Sequence, residues 1–197
     1  MKKQMISVLL VIITALFSII PTASAAEDIP QLQQDNANTL KALGILKGYE
    51  DGSLRLENKI RRSEFITLVV KLMGYDTDAD IDNVKVTFTD ISSTHWAYNN
   101  IKLSIKYNLV AGYPNNTIAP DNDVTYAEAL AVVIRALGYE KTLSGEWPNN
   151  VMDKATEINL TTNLSLDPNH KLTRGEMSVI VYNALTVNFN QEETGDN

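Results

Sequence analysis

Apolar residues recur at spacings of three and four in three well-separated stretches: Phe65, Leu68, Val69 and Leu72; Ala129, Leu130, Val133, Ile134 and Leu137; Met177, Ile180, Val181, Ala184 and Leu185. That spacing is the stripe of an amphipathic helix, and it predicts helices over 62–73, 126–137 and 174–185. Weaker stripes precede each one and predict helices over 36–46, 97–109 and 151–160. Between the two helices of each pair lies a turn rich in Gly, Asp, Asn and Pro: Glu50-Asp51-Gly52 in the first, Pro114-Asn115-Asn116 in the second. Gly74 and Gly138 stand where the second helices end, a position that favours a left-handed residue.

The pairs are copies of one another. Gly48-Tyr49 recurs as Gly112-Tyr113, Ile60-Arg61-Arg62-Ser63-Glu64 as Val124-Thr125-Tyr126-Ala127-Glu128, and Gly74-Tyr75 as Gly138-Tyr139, all at an offset of 64 residues. A third copy follows 48 residues later: Leu172-Thr173-Arg174-Gly175-Glu176, with Pro168 opposite Pro120 and Trp147 heading it as Trp96 heads the second. One such helix pair cannot bury its apolar face alone, whereas three around a shared axis can. The fold class expected is mainly α: three helix–turn–helix repeats in a pseudo-threefold arrangement around a central helical bundle.

Thr125 with Glu128 and Thr173 with Glu176 have the spacing of a capping box. The hydroxyl serves an orphan amide of the first turn while the glutamate reaches back to the cap amide. The first copy has Arg61 at the cap, which has no acceptor to offer, so that helix start is expected to be weaker or rearranged.

Residues 1–25 stand apart. Lys2 and Lys3 precede an apolar run from Met5 to Ile20, then Pro21 and the small residues Ala23-Ser24-Ala25. This is the layout of a secretory signal peptide, with an apolar run short for a membrane span. Removal of 1–25 leaves 15 basic against 24 acidic residues, a formal −9, and no membrane span is expected in what remains. So acidic a chain is a poor partner for nucleic acid. The sequence has no cysteine, which excludes disulfides, lipid attachment at cysteine, thiolate metal sites and cysteine nucleophiles. Nucleophile elbow, phosphate-binding glycine loop and HExxH are all missing, so no enzyme activity, metal or cofactor is called for.

With these motifs in view, the chain resembles the S-layer homology domain family. That pattern opens with Phe-x-Asp and His-Trp-Ala, passes through Gly-Tyr and Asp-Gly, and ends in Ile-Thr-Arg-Ala-Glu. The second copy shows Phe88-Thr89-Asp90, His95-Trp96-Ala97, Gly112-Tyr113 and Val124 to Glu128. The boundaries read are a truncated first repeat over 27–76, a second over 86–140, a divergent third over 145–187, and a polar, disordered tail over 188–197. The resemblance implies a secreted, non-catalytic module of a Gram-positive-type cell surface, a monomer with internal symmetry. Its grooves between repeats would bind secondary cell wall polysaccharide, typically through an acidic, pyruvylated sugar. A module that had lost the glycan would instead bind other envelope proteins.

In that family the arginine of the closing motif helps hold the acidic sugar, as suits a guanidinium fork. Arg62 and Arg174 match it; Tyr126 replaces it in the second copy, so one or two working sites are expected rather than three. Trp96, Trp147, Tyr49 and Tyr113 are candidate groove walls, although the tryptophans could equally pack helix entries. Asp90 could cap a turn or meet sugar hydroxyls. Gly48 and Gly112 suit tight backbone geometry. Glu64, Glu128 and Glu176 read as capping partners, and the alternating Asp76, Asp78, Asp80 and Asp82 as an acidic surface linker, lacking the ligand order of a calcium loop.

Overall fold

The structure, a computed structural model, describes residues 29–190. The expected signal peptide therefore lies outside the described residues. Six α-helices follow one another: α1 Ile29–Ala42, α2 Arg62–Leu72, α3 Tyr98–Lys106, α4 Tyr126–Ala136, α5 Asn149–Glu157 and α6 Arg174–Ala184. Among the described residues there are no strands, only three isolated antiparallel bridges. No described helix is long and apolar enough to cross a membrane.

The second helix of each repeat (α2, α4, α6) packs against the other two. Their contacts carry the core residues Phe65, Ile66, Val69, Leu130, Val133, Ile134, Met177, Ile180 and Val181, all fully or almost fully buried. Each first helix then packs on the second helix of the preceding repeat: α3 on α2, α5 on α4, and α1 on α6. The last pairing joins the two ends of the chain. It is close-set, since a Cβ on Gly175 would come within 2.3 Å of the Gln33 side chain.

The extended residues before α2, α4 and α6 meet in a closed cycle of backbone bonds. Val124 N–H donates to the Ile60 carbonyl at 3.1 Å, Leu172 N–H to Val124 at 3.0 Å, and Ile60 N–H to Leu172 at 3.0 Å. The next amides repeat the scheme. Arg62, Tyr126 and Arg174 donate to Asn122, His170 and Asn58, and Ser63, Ala127 and Gly175 to Pro120, Pro168 and Leu56. The first two amides of each helix are thus satisfied by a neighbouring repeat, so each helix start depends on the neighbour being folded.

Two expectations about helix limits change. The first helices end sooner than their apolar stripes suggest, at 42, 106 and 157. Gly44, Asn108 and Asn159 adopt left-handed conformations at equivalent positions. Beyond them Ile45, Leu109 and Leu160 donate back to Leu40, Ser104 and Ala155, as in a Schellman termination. Their side chains still reach the core, which made the stripe look helical. Helix α1 also begins seven residues before the expected start, with buried Asn36 standing among its otherwise apolar contacts. At the other end, residues 188–190 do not belong to a disordered tail. The Asn190 amide donates to Leu137 and its side chain to Gly138, while Tyr139 Oη donates to the Asn188 carbonyl.

Candidate functional site

Local structure builds the same turn twice. Tyr49 N–H donates to the Ser53 carbonyl and the Tyr49 carbonyl accepts from Gly52 N–H; Tyr113 N–H donates to the Thr117 carbonyl and the Tyr113 carbonyl accepts from Asn116 N–H, all at 2.8–2.9 Å. Gly112 has a φ of 70°, and a Cβ there would lie 2.3 Å from the Phe88 ring. The Phe88 ring thus packs against the second turn because that position has no side chain. Asp90 fixes the far side of this turn, accepting the Ile118 and Ala119 amides at 2.8 and 2.7 Å. Both its oxygens are therefore engaged with backbone.

The motif arginines cross to the turn of another repeat. Arg174, only 4% exposed, donates from Nε to the Leu54 carbonyl (2.8 Å), from Nη2 to the Lys47 carbonyl (3.0 Å) and from Nη1 to Glu64 (3.3 Å). Arg62, 6% exposed, donates from Nε to the Ile118 carbonyl (3.0 Å), and its Nη1 lies 4.0 Å from Glu128. Each guanidinium sits 5.1 Å from the ring centre of a turn tyrosine: Arg174 over Tyr49, Arg62 over Tyr113. The unfavourable placing of a cation in the first helical turn is offset by these carbonyls and carboxylates.

Two grooves result. One, of about 240 Å³, is lined by residues including Gly48, Tyr49, Glu64, Lys71, Trp96 and Arg174. The other, of about 310 Å³, is lined by Gly112, Tyr113, Glu128, Arg135, Trp147 and Arg62 among others. These sets correspond one to one. The Gly-Tyr turn, the glutamate and the second cation come from one repeat, the arginine from the preceding one and the tryptophan from the following one. Trp96 and Trp147 are 58% and 56% exposed, so they wall the grooves rather than filling helix entries. Asp90 alone among the expected ligand residues stands outside both linings. Lys71 and Arg135 were missed. Their signal was a cation recurring at the 64-residue offset in the last turn of α2 and α4.

Electrostatics bind each groove to its helix cap. Burial pushes the Glu128 carboxyl up, but the Thr125 amide, Tyr113 and Arg62 together hold it below its usual range. Tyr113 Oη donates to Glu128; desolvation first and this bond second raise Tyr113 to about 12. The Thr125 and Thr173 capping boxes form as expected. In α2, Glu64 still accepts the Arg61 amide at 2.9 Å, but the reciprocal half is lost because Arg61 has no acceptor.

The third turn is closed otherwise. Tyr126, fully buried, donates to the Leu164 carbonyl at 2.9 Å. Asn183 stands where Lys71 and Arg135 stand and donates to the carbonyls of Leu160 and Thr162. His170 Nε2 lies 3.0 Å from both oxygens of Glu176. The acidic linker is tied down as well. Asp78 accepts from Lys106 and Tyr107, both at 2.7 Å, which lowers it to about 2.

Comparison with known proteins gives the class. Residues 28–66 and 87–130 match the family model of the S-layer homology domain, and the chain belongs to that family. Over 98% of its length it is 36% identical to the middle cell wall protein of Brevibacillus brevis and 33% identical to a surface layer protein of Brevibacillus choshinensis. Over 59% of its length it is 37% identical to a cellulosome-anchoring protein of Acetivibrio thermocellus. The chain spans about a fifth of the first two relatives (19% and 18%) and 25% of the third.

Proposed function

We propose that this chain is a non-catalytic module that anchors at the bacterial cell wall or cell surface by holding an acidic, pyruvylated end of the secondary cell wall polysaccharide in its two equivalent grooves. The observation that carries this reading is the repetition of the groove. Two grooves whose Gly-Tyr turns lie 64 residues apart present the same turn, guanidinium, second cation and exposed indole, an assembly suited to a carboxylate on an apolar sugar ring. The relatives named for cell wall, surface layer and anchoring agree with this place of action. The cycle of bonds joining Ile60, Val124 and Leu172 supports a pseudo-threefold monomer in which grooves form only between folded repeats. The third position, with Tyr126 and Asn183 bonded to carbonyls, does not take part in glycan binding.

Sedimentation of the chain with purified cell walls tests the reading. Binding to intact walls, lost when the secondary polymer is extracted, is the expected result. Equal binding to extracted walls would overturn it and favour a protein or peptidoglycan partner.

A further inference from the structure

The two grooves match residue for residue but differ in which cation is free. In the Tyr49 groove, Arg174 is committed: its Nε and both terminal nitrogens each donate within the protein. Lys71, on the last turn of α2, lines the same groove, and its ammonium makes no hydrogen bond or ion pair among the described residues. The Tyr113 groove is the reverse. Arg135, the counterpart of Lys71, is paired with Glu140 at 2.7 Å. Both arginines of this groove hydrogen-bond only through Nε, but Arg62 is the more buried, and its Nη1 stands 4.0 Å from Glu128, beyond hydrogen-bond reach, so its unused N–H groups lie out of water while those of Arg135 sit on a more exposed side chain. A buried guanidinium with unused N–H groups recovers much from an arriving anion, whereas one already saturated gains little.

Resting on the acidic-glycan reading above, we infer that the grooves exchange roles: Lys71 is the residue that holds the ligand carboxylate in the Tyr49 groove, with Arg174 positioning the turn, while Arg62 holds it in the Tyr113 groove and Arg135, paired with Glu140, plays the smaller part. The Tyr49 groove thus offers an ammonium point charge and the Tyr113 groove a planar fork. The first tolerates acids of varied geometry, and the second prefers a coplanar carboxylate.

The sequence supplies a separate reporter for each groove, because its two tryptophans are Trp96 and Trp147. Trp147→Phe leaves Trp96 to report the Tyr49 groove, and Trp96→Phe leaves Trp147 to report the other. The probe is the soluble polymer extracted from purified walls of the source bacterium, with the same polymer after carboxyl reduction as control, read by tryptophan fluorescence. In the Trp96 reporter, Lys71→Gln is expected to weaken binding about tenfold or more, and Lys71→Arg to restore it. Arg174→Lys there lowers the melting temperature more than the affinity. In the Trp147 reporter, Arg62→Lys weakens binding about tenfold, and by more than Arg135→Gln does. Lys71 has no structural bond to lose, so Lys71→Gln decides the question even where an arginine variant melts. Unchanged affinity in Lys71→Gln, with binding otherwise intact, overturns the exchange of roles. No response from either reporter in chains with all four cations overturns the acidic-glycan reading itself.

Discussion

Arg61→Thr should stabilise this protein. The cap residues of α2, α4 and α6 share one conformation: φ and ψ are −75° and 153° at Arg61, −83° and 162° at Thr125, and −83° and 166° at Thr173. A threonine at 61 would therefore present its hydroxyl to the Glu64 amide as Thr125 and Thr173 present theirs to Glu128 and Glu176, at 3.2 and 3.1 Å. Glu64 already supplies the other half of the box. Restoring the missing half is worth about 1 kcal/mol. Against this stands the loss of the Arg61–Asp121 pair at 3.0 Å, whose side chains are 57% and 60% exposed. Such a surface pair contributes a few tenths of a kcal/mol at most times and about 1 at best. The net gain is about 0.5 kcal/mol, or about 1–2 °C in Tm for a chain of this size. Urea unfolding followed by circular dichroism measures it, with Thr125→Ala and Thr173→Ala, each expected to cost about 1 kcal/mol, as calibration. A neutral or destabilising Arg61→Thr alongside costly threonine removals would refute the claim that the three helix starts are equivalent.

Tyr126→Phe leaves the Leu164 carbonyl without its donor and should cost about 1–2 kcal/mol in urea unfolding, with wall binding unchanged; lost binding would show a working third site. Gly112→Ala forces a Cβ against the Phe88 ring at a positive φ, so it should lower stability by about 1–3 kcal/mol and silence Trp147 fluorescence changes while leaving those of Trp96. Glu128 and Glu176 are held below the usual carboxylate range, so their contribution to stability is complete above the ordinary carboxyl value near 4.5 and disappears as pH falls through the lower folded values. Urea midpoints should therefore fall on acidification below that value, and less steeply in Glu128→Gln. Tyr113 behaves oppositely: raised to about 12, it favours the folded state below its ordinary value of 10.0, and that contribution is lost as pH rises from there to about 12. Ultraviolet titration of tyrosinate in Tyr113→Phe should lack one late-titrating group.

The second helices were legible because their stripes, caps and terminal glycines agree, and they begin at the residues expected. The first helices were misjudged at their ends. Ile45, Leu109 and Leu160 continue the apolar rhythm from beyond a left-handed residue, and two of the three terminators are asparagines, whose signal is weaker than glycine's. Half of each site was also readable. Arg62, Arg174, the Gly-Tyr turns and the tryptophans recur in register, but a linear motif does not say that Arg174 serves Tyr49 or that Arg62 serves Tyr113. That pairing follows from the cross-repeat bonds of the extended residues before each helix, a long-range property. Asp90 was open between turn and sugar until both its oxygens were found on backbone amides. Lys71 and Arg135 went unread because a cation in a helix's last turn already has an ordinary explanation in the helix dipole.

The most direct test of the central claim is stoichiometry. Isothermal titration of the chain with a short terminal fragment of the secondary wall polymer should reach saturation at two fragments per chain. Saturation at three would contradict the closed third position, and the absence of any bound fragment would contradict the glycan-anchoring account as a whole.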